Sequence, residues 1–103
     1  MILARVEGSV VATKKNAKMT GAKLLVVRPL LIDKPDAESF RHGQTTLVAT
    51  DALGAGDGDV VLVVQGSSAR LAMDNKDSPV DAVVIGIVDT VDVSKRILYS
   101  ARS

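Results

Sequence analysis

Three runs of this chain are apolar on both faces, where a half-buried antiparallel strand should alternate apolar and polar residues. Residues 23–30 read KLLVVRPL, residues 59–65 read DVVLVVQ, and residues 82–88 read AVVIGIV. The opening segment behaves differently. Over residues 2–13, Ile2, Ala4, Val6, Gly8, Val10 and Ala12 share one face, while Leu3, Arg5, Glu7, Ser9, Val11 and Thr13 share the other. That is a long strand with one buried face, and Gly8 marks a bulge or bend in it. Further strands are predicted over 23–31, 45–51, 59–65 and 80–91, with a short last strand over 96–100. Pro29 sits near the end of the second, and Gly86 interrupts the branched residues of the fifth.

Polar and glycine-rich stretches separate these strands. Residues 14–22 (KKNAKMTGA) and 32–44 (IDKPDAESFRHGQ) read as loops, 53–58 (LGAGDG) as a tight turn, and 92–95 as another turn. After Gly66, Ser67 or Ser68 can cap one short helix running to Met73, which residues 74–79 (DNKDSP) stop. Short strands with glycine and proline turns favour a barrel or sandwich. The expectation is an all-β, single-domain chain over residues 1–103: a small five-stranded, OB-like Greek-key barrel with one short helix. A domain of about 100 residues leaves roughly a third or more of its unfolded-chain surface exposed and has one core. The second apolar faces therefore need a cover, and another copy of the same chain supplies one.

Composition sharpens this picture. Phe40 and Tyr99 are the only aromatics, so the core must be built from Val, Leu, Ile and Ala. Such side chains bury less area each than aromatics, which leaves a small core marginal alone. The absence of cysteine excludes a disulfide framework and a thiolate metal site, and it fits a reducing compartment. A net charge of +1 is too small to point to a polyanion. No apolar run is long enough to span a membrane as a helix, and the N-terminus reads as a first strand rather than a signal peptide.

Candidate chemistry is sparse. The cluster Gly54-Ala55-Gly56-Asp57-Gly58 fails the dinucleotide fingerprint, because its third glycine comes one position early and a strand follows instead of a helix. A phosphate-binding loop would need Lys and Ser or Thr after the last glycine, where Asp59 and Val60 stand. A tight turn needing positive φ explains the glycines, as does close backbone approach between subunits at a symmetry axis. His42 is the sole histidine and lies in a polar loop without a partner for catalysis or metal binding. Helix capping accounts for Ser67 and Ser68 better than a nucleophile does, since no G-x-S-x-G elbow is present. Lys14, Lys15, Lys18 and Lys23 make a basic patch, but the chain lacks the aromatic platform that single-strand binding uses. Asp74, Asp77, Asp81, Asp89 and Asp92 do not follow the spacing of a calcium loop. No catalytic set, cofactor site or metal site assembles, so the chain is not expected to be an enzyme.

Taken in order, the segments resemble the pentameric vertex proteins of bacterial microcompartment shells, the EutN/CcmL family. The likeness is carried by the opening strand with Lys14-Lys15 and by residues 19–27 (MTGAKLLVV). It continues through residues 51–63 (DALGAGDGDVVLV), 66–70 (GSSAR), 79–89 (PVDAVVIGIVD) and 98–100 (LYS). His42 and the 32–44 loop inherit nothing from it. The resemblance implies an OB-related barrel assembled as a cyclic pentamer. It also implies a structural role: capping the five-fold corners of a cytoplasmic shell whose facets are tiled by hexagonal shell proteins. On that reading, Gly54, Ala55 and Gly56, with Ser67 and Ser68, are expected near the five-fold axis around a narrow pore. Val60, Val61, Leu62, Val63, Val83 and Ile85 are the expected source of the subunit interface. The alternative is an OB-like binding module for single-stranded nucleic acid or a peptide.

Overall fold

A computed structural model describes residues 1–12, 23–34, 38–67, 69 and 81–101. Eight strands appear in these residues: β1 (Ile2–Val10), β2 (Lys23–Leu31), β3 (Arg41–His42), β4 (Leu47–Asp51), β5 (Val60–Gln65), β6 (Ala82–Ile87), β7 (Thr90–Val93) and β8 (Arg96–Ser100). The first six form one sheet in the order β1-β5-β6-β4-β2-β3, and β1 also pairs with β2. That extra pairing closes β1, β2, β4, β5 and β6 into a five-stranded barrel, with β3 appended to β2. Among the five barrel strands, the fourth and fifth in chain order sit out of sequence. This crossover is what separates a Greek-key barrel of the OB type from a simple meander.

The pairs β1–β2, β1–β5, β2–β4 and β5–β6 are antiparallel over four to seven partners each. The barrel is completed by a single parallel pair, Thr50 beside Val83, between β4 and β6. The predicted bulge in the first strand is present: the register shifts between Val6 and Gly8, leaving Glu7 as the extra residue opposite β2. A second bulge lies where Leu62 and Val63 of β5 face Gly86 and Val84 of β6, so that Ile85 has no partner.

The barrel interior holds Ala4, Val6, Leu25, Val27, Ala49, Ala55, Val61, Val63, Ala82 and Val84, with Ile2 and Leu47 packed at its ends. Burying each Val or Leu fully is worth about 1.5–3 kcal/mol. A second, outer cluster joins Val64 and Val83 under Ala69. The expected short helix lies outside the described residues apart from Ser67 and Ala69; the Ala69 amide donates to the Gly66 carbonyl at 3.1 Å. The expected loop over 14–22 also lies outside them.

Several boundaries differ from the reading of the sequence: β1 ends at Val10 rather than residue 13, β4 begins at Leu47 rather than residue 45, and the two-residue β3 lies within the expected 32–44 loop, where Leu30 and Leu31 of β2 offer it a free edge. Residues 80–91 are not one strand. β6 follows β5 only to the pair Ile87–Val61, and the Val88 amide makes one more bond, to the Val60 carbonyl. β5 begins at Val60, so no backbone remains to pair with, and the chain turns away at Asp89 into β7. Asp92 and Val93 belong to that strand rather than to a four-residue turn. Ser94 and Lys95 alone make the turn, both with positive φ (51° and 67°) between the paired Val93 and Arg96.

Candidate assembly surface

The turn between β4 and β5 is built around one carboxylate. Asp51 ends β4, is 4% exposed, and accepts from the Leu53 amide on Oδ1 and from the Gly54 and Ala55 amides on Oδ2 at 2.8–3.2 Å. Three backbone donors on one carboxylate fix the chain path, and the Ala55 amide among them is buried, where only a protein acceptor can satisfy it. Gly54 (φ 89°) and Gly58 (φ 86°) supply the left-handed conformations this path needs. At its far end Asp59 accepts from the Gly56 amide at 2.9 Å. Lys23, counted above in a basic patch, donates its Nζ to the Ala55 carbonyl at 2.7 Å and braces this turn. Ala55 is fully buried, with its methyl in the barrel core, while Gly54, Gly56 and Ser67 are exposed. Ser68 lies outside the described residues.

The structure sorts the six apolar interface candidates. Val61 and Val63 fill the barrel, and Val60 is also fully buried within the protomer, beside Arg5 on the outer face. None of these three has surface left for a partner. Val83 is covered by Ala69. Leu62 remains half-buried on the outside, lying across Gly86, and Ile85 is 39% exposed. The bulge explains this sorting. Alternation alone puts residues 83 and 85 on one face with 61 and 63, but the unpaired Ile85 reverses the parity, so that Val84 faces inward beside Val63.

Several exposed apolar residues were not singled out as candidates in the sequence, among them Val48, Leu53, Ile87 and Ile97. Val48, 49% exposed, stands on the outside of β4 and pairs with Val26, which pairs in turn with Gly8. A Cβ built on Gly8 would meet no atom within 4 Å, so the row Val48–Val26–Gly8 ends in open space. The signal was available: in residues 47–51 the outward positions should be polar, and Val48 is not. Ile97, 64% exposed, stands on the β7–β8 hairpin. Arg5 joins that hairpin to the barrel, stacking 5.6 Å over the Tyr99 ring while its Nη1 donates to the Gly58 carbonyl at 3.2 Å. Arg96 pairs with Glu38 at 3.3 Å.

Among the described residues, two further ion pairs tie surface elements together. Arg28 donates to Glu7 on the bulge of β1 and to the Gly43 carbonyl, both at 2.8 Å, tying two strands to the loop after β3. The hydrogen bond from Arg28 holds the Glu7 carboxyl below the usual carboxylate range. The bidentate bond from Arg41, at 2.6 and 3.0 Å, does the same for Asp33. His42 is exposed on β3 opposite Leu30. Among the described residues no three His, Cys, Asp or Glu side chains converge as metal ligands would.

A small closed barrel with apolar outer faces defines the class, and sequence comparison gives the family. Residues 1–89 match the model of the family described as ethanolamine utilisation protein EutN/carboxysome. The chain belongs to the EutN/CcmL family. It is 44% identical over 102 residues to the carboxysome shell vertex protein CcmL of Synechocystis sp., covering 99% of this chain and 96% of the relative. The solved structure of Gloeobacter violaceus CcmL superposes with a TM-score of 0.84 at 42% identity, covering all of both chains. The pentameric microcompartment shell protein GrpN of Rhodospirillum rubrum superposes with a TM-score of 0.75 at 43% identity, covering 90% of this chain and 99% of that one.

Proposed function

We propose that this chain is a structural shell protein that assembles as a cyclic pentamer and caps the five-fold vertices of a bacterial microcompartment in the cytoplasm. Its partners are four copies of itself and the hexagonal proteins of the shell facets. It is not an enzyme; it works by shape. The observation that carries this reading is the likeness, over nearly the whole chain, to shell vertex proteins and to a pentameric shell protein of the same fold. Flat hexagonal tiling closes into a polyhedron only where five-fold units replace six-fold ones. Leu62 and Ile85 are the members of the expected interface that keep surface to contribute. Gly54, Gly56 and Ser67 are exposed and small, and we place them near the five-fold axis, with Ala55 anchoring the turn from behind.

Deletion of the chain in its host, followed by electron microscopy of the shells and assay of purified cargo enzymes, tests the role. Unclosed or elongated shells with fully active cargo are expected. Normally closed shells in the absence of any other vertex protein would refute it. A single-strand or peptide-binding monomer, the alternative for an OB-like barrel, has no observation in its favour.

A further inference from the structure

Asp57 and Gly58 make the one Asp-Gly pair in the chain, which has no Asn-Gly pair. The pair is chemically special. The amide nitrogen that follows an aspartate can attack the carboxyl carbon of its side chain, and a following glycine leaves that approach unhindered. The fold has its own reason for the glycine: Gly58 sits at φ 86°, where a residue with a Cβ is strained. The two residues form the middle of a turn that the Asp59 amide closes on the Gly56 carbonyl at 3.0 Å. Asp57 is exposed, and among the described residues nothing holds its carboxylate.

The attacking nitrogen is held back by the fold. The Gly58 amide donates to the Val6 carbonyl, and the Val6 amide to the Asp59 carbonyl, both at 2.9 Å. These bonds prolong the β1–β5 ladder past its last pair, Arg5 with Val60. Arg5 pins the other side of Gly58, its Nη1 donating to the Gly58 carbonyl at 3.2 Å. We infer that Asp57–Gly58 is a latent site of isoaspartate formation, guarded by Val6 and Arg5, whose modification records each opening of this end of the β1–β5 ladder. In the reaction, the Gly58 nitrogen bonds to the Asp57 side-chain carboxyl carbon. The nitrogen gives up its proton and the carbon its hydroxyl, which leave together as water. Water then opens the resulting five-membered imide at either carbonyl. Attack at the side-chain carbonyl restores Asp57; attack at the main-chain carbonyl routes the backbone through the side chain and adds one carbon to its path. Water is the only co-reactant. The added carbon carries the Gly58 amide away from Val6, so the modified turn cannot remake the bond that guarded it.

The test incubates the full-length protein in water enriched in heavy oxygen, because each cycle of ring closure and opening leaves one solvent oxygen in residue 57. Peptide mass spectrometry locates the label, and chromatography separates the isoaspartyl peptide from its parent. In denaturant, Asp57 is expected to label before any other aspartate. In the folded wild type it is expected to label more slowly by at least about ten-fold, since two hydrogen bonds must open first. Arg5→Gln, with the barrel checked by circular dichroism, is expected to label severalfold faster than the folded wild type and no faster in denaturant. Asp57→Glu, whose carboxyl cannot close a five-membered ring, should abolish the label at this position. Equal rates in folded and unfolded wild type would overturn the guard, whether or not the Arg5 variant folds. Earlier labelling of another aspartate in denaturant would overturn the site. A folded Arg5→Gln that labels at the wild-type rate would remove Arg5 from the guard.

Discussion

At the scale of the residue, Asp51 does the most with the least surface. Its carboxylate gathers three backbone amides at the start of the glycine turn. Leaving buried donors unsatisfied costs about 1–3 kcal/mol each. Of the three, the Ala55 amide is buried and the other two are reached by water, so Asp51→Ala is expected to lower stability by about 1–3 kcal/mol. Asp51→Asn, which keeps one acceptor oxygen, should lie between the two in denaturant midpoint. Equal midpoints for Asp51→Ala and the wild type would contradict this. Glu7 carries a pH signature of a different kind. Its folded pKa is depressed by the Arg28 hydrogen bond, so its contribution is present above the unfolded carboxylate pKa and fades as pH falls through the folded value. NMR titration should find Glu7 ionising below an ordinary glutamate, and Arg28→Gln should bring it back. Both groups are solvent-exposed, so the signature is expected in the titration more than in the stability. Neither role stands out in the sequence: Asp51 looks like any strand-ending Asp, and Glu7 meets Arg28 only through the pairing of β1 with β2, which sets Arg5 opposite Arg28.

At the scale of the element, the hairpin turn holds two residues in a conformation that suits neither. Ser94 and Lys95 both have positive φ between paired strands, the geometry of a type I′ turn, for which Asn-Gly is the favoured pair. The left-handed region costs a residue with a Cβ roughly 1–2 kcal/mol. Lys95→Gly should recover most of this, about 1 kcal/mol, seen as a raised denaturation midpoint with the barrel unchanged. A fall in stability would show that the Lys95 side chain holds the hairpin in another way. The strands themselves were largely legible. The second strand runs over residues 23–31 as read, and the buried positions of the first are the ones its alternation gave. What was not legible depended on partners distant in sequence. The apolar run over residues 82–88 does not itself show that the chain leaves the barrel there, because that break is set by where β5 ends. The inward side of β6 is equally hidden, since a bulge opposite Val63 reverses a parity that local alternation cannot show.

At the scale of the whole molecule, much of the apolar surplus in the strands is covered within the protomer, where Val60, Val61, Val63 and Val83 are buried. The hydrophobic pattern alone showed the surplus but not which of its residues stay uncovered. Val48 and Ile97 are ordinary strand residues until the fold shows them to be uncovered. One feature of the barrel also sets how the molecule breathes. Every seam but one is an antiparallel ladder of several rungs, and the exception is the single parallel rung joining Thr50 to Val83. If that rung opens, the barrel uncurls into a ribbon with β4 at one edge and β6 at the other, while every other ladder stays intact. Opening of this kind lies at the low-energy end of local fluctuations. Amide hydrogen exchange should record it: the amides of β4 and β6 that face each other should exchange before any in β1, which is flanked on both sides by β2 and β5. Uniform protection around the barrel would mean that it opens only by unfolding as a whole. With early exchange at the β4–β6 seam, a vertex made of such units has some give, and a shell corner accommodates small mismatches with its facets without breaking the ring.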